Sequence, residues 1–290
     1  MPFYELTVQV AQKQVEFIDS KLSEAGAVGV TYVDAKDVPI YEPKPGEMPL
    51  WNDIKLTALF DDEATMQTAS QTLQRSHPEL QQLKTQLKDQ VWERVWMEHF
   101  KPIRFGVNSW VIPDGYDVVD PDAVNLILDP GLAFGTGTHE TTALCLKWLD
   151  QHDVTGKQLV DFGCGSGILA VMALLQGAKQ VICVDIDDQA IQATRQNAEK
   201  NGVGGGIQVV SPESVHNIKN QDGILANILA EPLLAFCDDF YQMLKPGGFI
   251  VLSGILETQK NIICEKYASR FIDIECEIEQ DWVRVGAIRA

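Results

Sequence analysis

Leu159-Val160-Asp161-Phe162-Gly163-Cys164-Gly165-Ser166-Gly167-Ile168-Leu169-Ala170 is the stretch whose reading decides the fold. A short apolar run carries an acid near its end, glycine takes alternate positions, and a helical apolar pattern starts at once. The spacing predicts strand, turn and helix, with a turn bare of side chains. Glycine permits φ > 0 there and lets a ligand lie against the backbone. The helix that follows directs unpaired N–H groups at that ligand. A cofactor-binding turn is expected.

Outward from the turn, strand and helix patterns alternate. A helix is expected over about 141–150, then strand 158–162, helix 167–176, strand 180–185, helix 188–201, strands 207–210 and 222–228, helix 231–243, strand 248–254 and helix 257–269. Strands 271–279 and 282–289 close the chain. Repeated βα units predict a mostly parallel sheet with helices on both faces. The short connection between the last two strands predicts that the final one runs antiparallel.

Three ligands compete for Gly163-x-Gly165-x-Gly167. A dinucleotide fingerprint needs its third glycine at 168, which is Ile168. A phosphate loop needs GxxxxGK[ST], and no Lys-Ser/Thr pair follows. The turn typical of S-adenosylmethionine, D/E-x-G-x-G-x-G, fits Asp161, Gly163, Gly165 and Gly167. That cofactor is cationic at sulfur and has no pyrophosphate. Its lack of phosphate agrees with the absence of basic residues after the turn until Lys179. Asp185 ends the next strand, where a carboxylate can accept both ribose hydroxyls. Asp187 and Asp188 read better as helix caps.

Asn227 ends the strand at 222–228, on the carboxyl edge where open α/β sheets bind ligands. Its carboxamide oxygen can accept from an amine and direct that amine's lone pair. The competing reading is a cap for the helix near Glu231. The run 129–142 is rich in Gly and Thr and leads into a helix. Thr138, Thr141 and Thr142 offer hydroxyls, and the helix start offers N–H groups, for a carboxylate such as the methionine end of the cofactor. Phe134 can face the sulfonium. His139-Glu140 begins like the zinc motif HExxH, but position 143 is Ala143, so no metal is expected.

Ahead of this region, strand 3–10, helix 15–25, strand 27–33, strand 54–60 and helix 63–73 outline a small α+β domain of ferredoxin-like type. A proline-rich loop, 37–52, interrupts it. The domain carries no catalytic constellation and is read as a recognition module. Residues 79–100 turn from polar to aromatic. Trp92, Trp96 and Phe100 recur at helical spacing and suggest an interdomain helix, before strand character resumes over 103–112. The expected organisation is a recognition domain over 1–90, a linker over 91–115 and a catalytic domain over 116–290.

Composition sets bounds on partners. The chain of 290 residues carries a net charge of −18, which repels nucleic acid and attracts basic partners. Its six cysteines form no CxxC and read as free thiols of a reducing compartment. The start MPFYELTVQV lacks a basic signal-peptide region. No apolar run reaches the ~20 residues needed to span a bilayer. A cytoplasmic protein is expected.

Several stretches together resemble the PrmA family, the bacterial methyltransferases of ribosomal protein L11. They are Leu128 to Thr142, Asp161 to Gly167, Asp185-Ile186-Asp187, Asn227-Ile228-Leu229-Ala230 and Leu252-Ser253-Gly254-Ile255-Leu256. The resemblance spans nearly the whole chain. It implies a Rossmann-like class I methyltransferase domain, with a mostly parallel seven-stranded sheet, behind the small α+β domain. It implies methyl transfer from S-adenosylmethionine to the N-terminal α-amine and lysine ε-amines of ribosomal protein L11, a basic partner. Cofactor contacts then fall on Thr142, Gly163, Asp185 and Asn227, with Asn227 also catalytic. Phe134, Thr141, Gly165 and Gly167 join them from the motif reading. The N-terminal domain would hold the substrate and swing on its linker. Other readings are methylation of another protein, a small molecule or nucleic acid, and a non-catalytic cofactor-binding assembly factor. The Asn-Pro-Pro-Tyr motif used on planar amines is absent, since Ile228-Leu229-Ala230 follows Asn227.

Overall fold

The computed structural model describes residues 3–36, 49–87, 101–128 and 139–290. The chain divides into two compact units, Met1–Val95 and Trp96–Ala290.

In the first unit, β1 (Phe3–Ala11), α1 (Val15–Glu24), β2 (Gly29–Asp34), β3 (Asp53–Phe60), α2 (Glu63–Ser76) and β4 (Gln82–Leu87) follow in order. The sheet runs β2-β3-β1-β4 with antiparallel pairing throughout. Alternation in β1 buries Leu6, Val8 and Val10, and β3 adds Ile54, Leu56 and Ala58. These meet Val15, Ile18 and Leu22 of α1 and Met66, Ala69 and Leu73 of α2 in one core. Asp62 caps α2, accepting from the N–H groups of Ala64 and Thr65. This is the ferredoxin-like arrangement, and it includes a strand that the sequence pattern does not announce. Gln82–Leu87 lies within the stretch read as polar lead-in to a helix. It is an edge strand whose only partner is β1 among the described residues. Polar side chains and Lys84 suit an edge, so no period-2 apolar signal is written there. The expected helix bearing Trp92, Trp96 and Phe100 lies outside the described residues, as does most of the proline-rich loop.

The second unit opens with a three-stranded sheet, β5 (Ile103–Phe105), β6 (Ser109–Pro113) and β7 (Val124–Leu128). There follow α3 (Glu140–Gln151), β8 (Gln158–Phe162), α4 (Ile168–Leu175), β9 (Gln180–Val184), α5 (Asp188–Lys200), β10 (Ile207–Val209), β11 (Gln221–Asn227), α6 (Ala230–Ala235), α7 (Cys237–Met243), β12 (Leu244–Leu256), α8 (Lys260–Ala268), β13 (Phe271–Glu279) and β14 (Trp282–Arg289). The stretch expected as one helix over 231–243 is thus broken at Phe236, whose ring packs on Phe162 and Phe240.

The large sheet runs β10-β9-β8-β11-β12-β14-β13. All pairs from β10 to β12 are parallel, and β14 is antiparallel to both neighbours. Alternation sends Leu159, Val181, Leu225 and Val251 to one face, under α3, α4 and α5. It sends Val160, Ile182, Ile224 and Ile250 to the other, under α6, α7 and α8. Helices on both faces make this the doubly wound fold expected from the βα repeats. The strand order reverses between β8 and β11, the position beyond whose carboxyl ends open α/β sheets bind ligands.

Candidate active site at the carboxyl ends of the sheet

The glycine turn joins β8 to α4. Gly163, Gly165 and Gly167 all have positive φ, at 75°, 54° and 76°. The N–H groups of Gly163 and Cys164 both donate to Val184 O, at 2.7 and 3.1 Å, which ties the turn to the end of β9. A Cβ on Gly163 would run into the Ile228 side chain, and one on Gly254 into the Ile228 backbone. Two glycines therefore make the slot in which Ile228 sits, and that slot places its neighbour Asn227.

Two side chains that the sequence reading passed over hold the turn from behind. Thr194 donates to Gly165 O at 3.0 Å and Asn197 donates to Ser166 O at 2.9 Å. Both are buried on α5. Their signal was present: polar residues three apart on the buried face of an amphipathic helix have backbone to satisfy.

Asp161 points inward from β8 and is buried. Its Oδ2 accepts from Ala170 N–H at 3.0 Å, capping the first turn of α4, while its Oδ1 has no partner among the described residues. Burial, with a smaller push from the Asp185 charge, lifts its pKa to about 7 against the helix N–H. Asp185, half-buried past β9, accepts from Gly165 N–H at 2.9 Å and from Asp187 N–H at 3.0 Å. Each carboxylate oxygen keeps a further lone pair for a ligand hydroxyl. Asp187 caps α5 as expected, accepting from Gln189 N–H at 2.9 Å.

Asn227 lies at the last position of β11, in register with Ser253 of β12. Its Nδ2 donates to Thr142 Oγ1 at 3.1 Å. With the NH₂ end engaged, the amide orientation is set and Oδ1 is left as acceptor. Ser253 is buried and donates to Thr141 O at 3.0 Å, tying the start of α3 to the sheet. His139 caps α3 and accepts from Thr141 N–H at 3.3 Å, with its ring edge-on to Trp282 at 4.9 Å. Thr141 and Thr142 are both buried. Asn227 and Thr142 thus meet directly, Asp185 meets the glycine turn, and Thr141 is engaged by His139 and Ser253. Phe134 and Thr138 lie outside the described residues.

The site therefore combines a bare backbone turn, a carboxylate on the next strand and an oriented carboxamide. That set suits a nucleoside-bearing cofactor and an amine to be aimed. The comparisons agree. The family model for ribosomal protein L11 methyltransferase (PrmA) matches residues 2–289. The ribosomal protein L11 methyltransferase of Alteromonas mediterranea is 46% identical over 289 residues, covering 99% of each chain. That of Escherichia coli is 45% identical over 289 residues, covering 98% of each. The crystal structure of the ribosomal protein L11 methylase from Lactobacillus delbrueckii subsp. bulgaricus aligns with a TM-score of 0.60 at 32% identity, over 66% of this chain and 99% of its own. Sequence, fold and site converge: the chain belongs to the ribosomal protein L11 methyltransferase (PrmA) family.

Proposed function

We propose that this enzyme transfers methyl groups from S-adenosylmethionine to the N-terminal α-amine and lysine ε-amines of ribosomal protein L11. The observation that carries the reading is the Asn227–Thr142 hydrogen bond beside the glycine turn, which leaves an amide oxygen for an incoming amine. The residues present fit the cofactor. The turn at Gly163, Gly165 and Gly167 offers backbone without side chains, and Asp185 stands next to it for the ribose. Thr141, Thr142 and Phe134 are assigned to the methionine end.

S-adenosylmethionine supplies an electrophilic methyl group on a positively charged sulfur. The chain's own task is to present a neutral amine in line with it. At pH 7 a lysine amine needs about 5 kcal/mol to lose its proton, and an α-amine only about 1. Desolvation in the cleft and a nearby positive charge lower that requirement. Asn227 Oδ1 accepts an N–H of the amine and so turns its lone pair toward the methyl group, an alignment effect. Thr142 holds the amide in that orientation. The proton leaves to solvent, since no His or Cys is placed as a base among the residues described around Asn227.

The net charge of −18 favours encounter with a basic ribosomal protein and disfavours nucleic acid as substrate. Residues 1–90 are assigned to substrate recognition and 91–115 to the linker. This rests on a unit with its own core and no catalytic constellation among its described residues. No helix among the described residues is long and apolar enough to cross a membrane. The protein is assigned to the cytoplasm, a reading that its free cysteines support.

Incubation with labelled S-adenosylmethionine and unmodified ribosomal protein L11, followed by mass mapping, tests the reading. Methyl groups are expected on the α-amine and on lysines. Asn227→Ala should lower turnover at least ~100-fold while cofactor affinity changes less. Normal turnover in that variant removes its catalytic role, and unlabelled L11 removes the substrate.

A further inference from the structure

Two of the six cysteines stand apart from the rest. Cys145, Cys164, Cys183 and Cys237 are buried. Cys264 is half-buried on α8, Cys276 is exposed on β13, and their sulfurs lie 3.5 Å apart. Cys276 is in register with Val285, whose side chain belongs to the core under α6, α7 and α8. Cys264 packs against that same core. The two thiols therefore face each other across the junction between α8 and the edge strand of the large sheet. Cys276 is exposed among the described residues, so small reagents reach it.

We propose that Cys264 and Cys276 form a redox-modification site, a dithiol that closes to a disulfide by exchange with a low-molecular-weight disulfide of the glutathione type. Cys276, the accessible thiol, attacks one sulfur of the glutathione disulfide after giving its proton to solvent. The S–S bond of the reagent breaks, one glutathione leaves as thiolate and takes up a proton, and a mixed disulfide remains on Cys276. Cys264 then loses its proton to solvent and attacks the Cys276 sulfur, and the second glutathione leaves in the same way. Two protein thiols are oxidised and one reagent disulfide is reduced. In the reduced pair, burial and the neighbouring thiol hold the Cys264 pKa up at about 11, so Cys264 is not the thiol that opens the exchange. The product staples β13, an edge strand whose only strand partner among the described residues is β14, to the helix beneath it.

Peptide mapping without reductant tests this on the full chain, treated with oxidised glutathione under native conditions and quenched with an alkylating agent. The expected product links the Cys264 peptide to the Cys276 peptide, lighter than the dithiol by two hydrogens. The four buried cysteines should alkylate only after unfolding. Cys264→Ser should trap glutathione on Cys276, and Cys276→Ser should give neither product. The oxidised protein should melt about 5 °C higher than the reduced one, reversibly with dithiothreitol. Persistent glutathione on Cys276 in the unaltered chain, or two free thiols after treatment, would overturn the proposal.

Discussion

Asp161 shows how one side chain serves two purposes at a cost. Its Oδ2 caps α4, while its Oδ1 is buried without a partner among the described residues and near the Asp185 carboxylate. Its pKa rises from 3.8 to about 7 on folding. The folded chain therefore keeps a proton there that the unfolded chain releases. The group's contribution to stability is present below about pH 4 and is lost as pH rises to about 7. Asp161→Asn keeps a carbonyl oxygen for Ala170 N–H and removes the charge. The variant should gain on the parent across that window, by up to about 4 kcal/mol between pH 4 and pH 8. Denaturant midpoints at both pH values check this, and a difference independent of pH would show that the fold does not raise the Asp161 pKa.

At the scale of elements, the site depends on how closely the turn approaches α5. Gly167 has φ 76°, and a Cβ there would lie 2.8 Å from Thr194 Cγ2 and 2.9 Å from its Cα. Gly202, near the end of the same helix, has φ 71° but open space around it. Gly202→Ala should cost about 1–2 kcal/mol through backbone strain alone. Gly167→Ala adds the clash and should cost about 2–4 kcal/mol, with weaker cofactor binding. Urea unfolding of both variants makes the comparison. Equal losses would mean that α5 yields freely and does not fix the turn.

For the whole molecule, chemistry and recognition are assigned to separate units. The unit Trp96–Ala290 contains every described residue given a role at the site, while Met1–Val95 has its own core on a four-stranded sheet. A chain lacking residues 1–90 should bind S-adenosylmethionine with unchanged affinity by calorimetry, yet fail to methylate intact ribosomal protein L11. Undiminished methylation would remove the recognition role from the N-terminal unit.

Sequence by itself determined the doubly wound domain, the glycine turn and the candidates Asp185 and Asn227. The reason is local: period-2 and helical apolar patterns choose the buried face, and alternating glycines mark a backbone that tolerates no side chain. Only the tertiary structure decided what those residues meet. Thr142 reaches Asn227 across 85 positions, and Ser253 reaches Thr141 across 112. The last strand enters the sheet between β12 and β13, and the polar edge strand β4 is defined by its pairing with β1 rather than by its own pattern. Contacts between distant segments depend on which surfaces pack, and a local pattern carries no record of its partner.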